Sequence, residues 1–260
     1  MDEFVALVGK EPQMEAIFSH WGNQTFPFQY TSRIKDKGRT MVIFWEALDY
    51  NRPYFSQPEY GFDAVNSGSL DAFFTKYAQD AKTYGGPVIL IPYSEFNGNW
   101  YPWGMTIGSN TPTKFIAAWI RIYEIFKREG ATNVKFAWVP NNDSVPDIPA
   151  NNFDLNWPGG NYVDYVGLDG FNSNTAWETF DKMMNTEIDR LKKYNKPIYI
   201  FSFAAGEHPQ KAAWIRDTFT VQLYKHPEVK GWIWFNENKE QDWRVNSSPE
   251  SLEAFKSMLR

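Results

Sequence analysis

A closed barrel of alternating strands and helices is the fold class that this chain of 260 residues predicts. Three observations carry it. Short apolar runs rich in β-branched residues recur eight times, and helical or connecting segments lie between them. The clearest run, residues 88–93, lacks polar alternation, as a strand buried on both faces does, and it stops on Ser94-Glu95. Such alternation implies a parallel sheet, and eight units imply closure into a (β/α)8 TIM barrel, here a single α/β domain over residues 1–260. A doubly wound open sheet is the competing class. It carries a glycine-rich phosphate loop after its first strand, and Gly9-Lys10-Glu11-Pro12 is not one.

The elements follow in order. Residues 4–8 read as the first strand. Glu11-Pro12 opens a helix carrying Met14, Ile17, Phe18 and Trp21 at helical spacing. Residues 26–30 form a second, weaker strand, and residues 41–46 a third that ends on Glu46. Residues 49–68 are rich in Pro, Gly, Asn and Tyr and read as a surface loop. Ser69 caps a helix over 70–84, and Gly85-Gly86-Pro87 stops it before the fourth strand. Thr111-Pro112-Thr113 starts a helix to about residue 129, closed by Gly130. Strands at 134–139, 163–172, 197–203 and 229–236 complete the eight, with helices over 177–194, 210–224 and 249–259.

Composition excludes several function classes. The net charge of −5 argues against nucleic acid, since phosphate binding needs a basic face. There is no cysteine, hence no disulfide framework or thiolate chemistry. No apolar run reaches the ~20 residues that span a bilayer, so no membrane partner is expected. His20, His208 and His226 are isolated in sequence without metal-ligand spacing, so neither a metal nor another cofactor is expected. Aromatic residues are abundant, with 12 Trp, 14 Tyr and 21 Phe, and some should line an exposed groove.

In a barrel the residues leaving each strand share one face. Here they are Glu46, Glu95, Asn141 with Asn142, Asp169 with Asn172, Ser202, and Asn236 with Glu237. Carboxylates, amides and indoles together suit carbohydrate: amides bond sugar hydroxyls, flat rings carry C–H faces, and glycosidic cleavage needs an acid and a second carboxylate.

The stretch Ser94-Glu95-Phe96-Asn97-Gly98-Asn99-Trp100-Tyr101-Pro102-Trp103-Gly104 closely resembles the acid/base segment of glycoside hydrolase family 26. So do Val166-Gly167-Leu168-Asp169-Gly170-Phe171-Asn172, Lys211-Ala212-Ala213-Trp214-Ile215, and Trp234-Phe235-Asn236-Glu237-Asn238-Lys239-Glu240 followed by Asp242-Trp243-Arg244. The resemblance implies a (β/α)8 barrel and a retaining endo-glycanase on plant-type β-glycans. It implies Glu95 as acid/base, Trp100 in the cleft and Trp234 as a sugar platform. Ser94, Asn97, Trp103, Asn141, Phe171 and Glu237 are further candidate substrate-side residues beside these, as is Glu207, which the turn at 204–206 makes a loop carboxylate. The partner is then a β-linked polysaccharide or oligosaccharide. The protein is expected to be a secreted monomer whose signal segment is not part of this chain.

Two departures from the family pattern matter. Ser202 stands at the position of the family's nucleophile glutamate. A neutral hydroxyl cannot stabilise an oxocarbenium-like centre as a carboxylate does. This chain is therefore expected to be a Glu→Ser form, made to trap substrate or to act as a glycosynthase, or else an inactive carbohydrate-binding barrel. Ser94 stands where mannan-cleaving members resemble one another in carrying a His. That leans specificity to mixed-linkage β-1,3-1,4-glucan, a lichenase, with β-1,4-mannanase as the alternative. Phe171 stands where similar enzymes carry a Tyr that bonds the nucleophile.

Overall fold

The computed structural model describes residues 1–259. It contains helices α1 (Asp2–Val8), α2 (Thr31–Asp36), α3 (Phe62–Ser67), α4 (Asp71–Tyr84), α5 (Pro112–Glu129), α6 (Thr186–Leu191), α7 (Lys211–Asp217) and α8 (Pro249–Met258). Its strands are β1 (Met14–His20), β2 (Thr40–Glu46), β3 (Val88–Pro92), β4 (Val134–Trp138), β5 (Tyr165–Asn172), β6 (Ile198–Ala205) and β7 (Val229–Trp234). Contacts group the chain into two compact units, residues 13–166 and residues 1–12 with 167–260.

In the unit of residues 13–166 the strands are parallel and adjacent in chain order, from β1 to the first residues of β5. The register aligns His20 with Glu46 and Trp45 with Pro92, which brings three strand ends to one edge. Helix α5 begins with Thr111 accepting from the Lys114 amide at 3.3 Å and ends on Gly130 at φ 71°, as its sequence predicts. Helix α4 begins one residue later than the sequence suggests, and Ser69 instead donates to the Ala64 carbonyl. Trp21, Trp45, Phe73, Phe74 and Tyr77 pack between β1–β2 and α4 with ring centroids 4.7–6.2 Å apart.

The N-terminal thirty residues differ from their sequence reading. Residues 4–8 lie in α1, which stops at Gly9 with φ 77°. The expected helix after Pro12 is β1, a strand whose buried face carries Glu15, Ile17 and Ser19. Polar residues on that face broke the alternation that signals a strand. Each is satisfied by a residue far along the chain: Glu15 accepts from Arg33 and from Arg39 at 2.8 Å, and Ser19 lies 3.4 Å from the Tyr77 hydroxyl. Residues 26–30 hold a single 3-10 turn (Phe28–Tyr30) instead of a strand. Among the described residues seven strands form rather than eight.

In the unit of residues 1–12 and 167–260, β5, β6 and β7 are neighbours in that order. Gly167 must be glycine, because a Cβ there would come within 2.5 Å of Phe201 and of the Tyr199 carbonyl. One face of β6 and β7 presents Phe203, Trp232 and Trp234 to Trp214, Phe219 and Phe255 of the helical layer. The helices expected over 177–194 and 210–224 are shorter α-helices continued by π and 3-10 turns.

Candidate active site

In the unit of residues 13–166 the site is built where β3 ends. The strand is buried along its whole length, so the chain must turn sharply on leaving it. Tyr93 and Glu95 both take a left-handed backbone at φ 55°, uncommon for residues with a Cβ and characteristic of strained functional positions. The Glu95 amide is anchored on the Val139 carbonyl at 2.9 Å, and its side chain is half-buried. The Trp100 indole nitrogen donates to Glu95 Oε2 at 2.7 Å. Gly98 makes that possible, since a Cβ there would lie 2.4 Å from the Trp100 ring.

The neighbouring residues hold this loop. Trp103 is buried and donates to the Ser94 carbonyl at 2.7 Å, and its ring stacks on Tyr101 at 4.3 Å. Asn97 is 0% exposed and its carboxamide is fully engaged. It accepts from the Asn141 amide at 2.8 Å and donates to the Asn141 carbonyl at 2.9 Å. Its own carbonyl accepts from Val145 and Asn151. Asn97 and Trp103 therefore support the Glu95 loop from beneath, rather than facing substrate as the sequence suggested. Ser94 and Asn141 are also buried. Trp100, about one-third exposed, is the aromatic beside Glu95 that can meet a ligand.

The second unit holds the other expected residues. Ser202 lies on β6 and is 5% exposed, on the face opposite Phe203 and its helix-side partners. Trp234 corrects the sequence reading. It is 7% exposed, donates to the Trp243 carbonyl at 2.8 Å, and packs on Phe203 and Phe255. Side chains alternate across a strand, so Trp234 faces the helices and not the side on which Ser202 lies. Its neighbour Phe235 meets Phe171 edge-on at 5.5 Å, and Phe171 also meets Trp243 at 5.3 Å. Glu237 is exposed beside them. Glu207 accepts from the Ser247 hydroxyl.

Lys211, which the sequence offered only as part of a motif, proves to be the clamp of this unit. Its side chain is wholly buried, and its ammonium donates to the Asp242 carbonyl at 3.3 Å, the Arg244 carbonyl at 2.8 Å and Ser247 Oγ at 2.7 Å. Burial lowers its pKa to about 8, against the opposing pull of Glu207 and Asp242. Arg244 pairs with Asp242 through two bonds of 2.8 and 2.6 Å, which holds the Asp242 carboxyl below its usual range. The loop after β7 is thereby fixed to the start of α7. The structure also brings Asp189 beside His226 and Glu228, some forty residues further along the chain. Lys192 sits 2.6 Å from both carboxylates and already balances much of their charge.

A sequence profile for glycosyl hydrolase family 26 matches residues 56–241. Endoglucanase H of Acetivibrio thermocellus is 35% identical over 266 residues, covering 98% of this chain and 28% of that protein. Mannan endo-1,4-beta-mannosidase A and B of Caldalkalibacillus mannanilyticus is 28% identical over 133 residues, covering 50% of this chain and 23% of that protein. The chain thus spans under one-third of either relative's length. Among solved structures, the catalytic domain of a family 26 endo-beta-1,4-mannanase from Bacillus sp. JAMB-750 superposes with a TM-score of 0.73 at 17% identity. It covers 98% of this chain and 78% of that one, which shows the (β/α)8 TIM-barrel fold class.

Proposed function

The chain belongs to glycosyl hydrolase family 26, and from that premise we propose that it is the barrel of a retaining endo-β-glycanase directed at mixed-linkage β-1,3-1,4-glucan, hydrolytically impaired by serine at position 202. The observation that carries the proposal is Glu95, set on a left-handed backbone at the end of β3 and bonded at 2.7 Å by Trp100. Ser94 in place of a histidine supports glucan over mannan. So does the likeness to an endoglucanase along 98% of the chain, against 50% for the mannosidase.

In the double-displacement reaction Glu95 delivers a proton to the leaving glycosidic oxygen while a carboxylate at position 202 bonds the anomeric carbon. Glu95 then takes a proton from water as that water releases the sugar. Ser202 supplies neither the negative charge nor a good leaving group, so the first step stops. With an α-glycosyl fluoride, the bond to fluoride breaks instead. Glu95 accepts the proton of an acceptor hydroxyl, the hydroxyl oxygen bonds the anomeric carbon, and fluoride departs, which forms a β-linked product. A polymeric substrate too large to cross a membrane is the reason to place the enzyme outside the cell.

The test is Ser202→Glu. Hydrolysis of lichenan by that variant, with mannan cleaved much more slowly, is the expected result. Cleavage of mannan in preference to lichenan would overturn the specificity. Background activity on both, with oligosaccharide binding retained, would favour a binding-only barrel.

A further inference from the structure

The loop after β2 carries a row of rings that the reaction above does not use. Tyr50 and Tyr54 are 41% and 39% exposed, with centroids 6.2 Å apart and planes 27° from parallel. The buried His20 ring, at the end of β1, lies against Tyr50 with centroids 4.4 Å apart and planes tilted by 31°. The loop that carries these rings is held in one conformation by its own buried hydrogen bonds. The Gln57 carboxamide is buried inside it, accepting from the Asp49 amide at 2.6 Å and donating to the Asp49 and Pro53 carbonyls at 3.0 and 3.1 Å. Asp49 binds back to Asn51 at 2.9 Å and packs so closely on Gly22 that a Cβ there would lie 2.6 Å from it.

We propose that the His20–Tyr50–Tyr54 ring cluster is a distal sugar-binding platform for the same β-linked glycan chain, a site that rests on the glycanase reading. Two partly exposed rings 27° from parallel offer flat faces to the C–H faces of a pyranose chain. Position agrees. The platform follows the ends of β1 and β2, and Glu95 follows β3, so all three leave the same edge of one parallel sheet within one unit. A flexible loop would spend binding energy on ordering itself, whereas the Gln57 bonds set the rings in advance. The rim of Asp49, Asn51, Arg52 and Glu59 is polar, which suits hydroxylated sugar better than lipid or an apolar protein face.

Calorimetric titration of the Ser202 chain reads binding without turnover. The probes are a mixed-linkage glucan trisaccharide and hexasaccharide, with mannohexaose alongside. Tyr54→Ala and Tyr50→Ala each weaken the hexasaccharide by ~10-fold and leave the trisaccharide within about twofold. Tyr54→Phe keeps the ring and the affinity. Equal weakening of both lengths, or no weakening of the hexasaccharide, overturns the platform while the glycanase reading stands. Absence of binding to every probe by the unmodified chain overturns both. The rings are exposed, so the melting temperature of each variant should match the parent and separate binding from folding.

Discussion

The indole nitrogen of Trp100 donates to Oε2 of Glu95 across 2.7 Å, and a glycine two residues before the indole leaves room for its ring. The bond fixes which carboxyl oxygen the indole engages and so orients the carboxyl group. Trp100→Phe in a Ser202→Glu background should lower kcat/KM by roughly 10-fold or more. That is the scale of one hydrogen bond to a charged group, about 1.5–3 kcal/mol. Steady-state kinetics on lichenan measures it.

Gly98→Ala should act on the same pair from below. Its methyl would meet the Trp100 ring at 2.4 Å, so the ring must move away from Glu95. The expected result is weaker oligosaccharide binding with a changed tryptophan emission spectrum, while the melting temperature moves little, because Trp100 is not in the core. Calorimetry and fluorescence on the one variant check both parts.

Asn97→Ala should cost stability. The substitution leaves the buried Asn141 amide and carbonyl without their partner. A loss of about 2–4 kcal/mol follows from several unsatisfied buried groups, and denaturant unfolding measures it. A loss within about 0.5 kcal/mol would contradict the supporting role.

Trp234→Ala separates a core indole from a sugar platform. Burial among Phe203, Trp214 and Phe255 predicts a destabilisation of about 3–5 kcal/mol. Trp234→Phe should recover most of that stability with oligosaccharide affinity unchanged. A fall in affinity without a fall in stability would restore Trp234 to the ligand side.

Lys211 gives a pH dependence with a definite sign. Its pKa in the folded chain is about 8, below the ordinary 10.5. Between those values the unfolded chain binds the proton more fully, so this group makes stability rise with pH across that window and contributes no slope below it. Lys211→Met removes the slope. Unfolding of both forms at several pH values from neutrality to pH 10.5 provides the comparison. At the alkaline end the neutral amine has two N–H groups for three acceptors, so the loop after β7 should exchange its amide protons faster.

By itself the sequence determined the alternation of apolar strands with helices from β2 onward, the place of Glu95 at the end of β3, and the caps at Thr111 and Gly130. All of these depend on neighbours within a few residues, and local spacing records them. What the tertiary structure decided depends on partners far along the chain. Met14–His20 is a strand because Arg33, Arg39 and Tyr77 satisfy its buried Glu15 and Ser19. Trp234 is core because the parity of β7 turns it toward α8, and a single strand read alone does not reveal which face is inward. Lys211 is in the sequence only one residue of a motif, and its burial follows from the fold, which closes the carbonyls of Asp242 and Arg244 over it. The contact of His20 with Tyr50 exists only because parallel pairing sets the ends of β1 and β2 side by side.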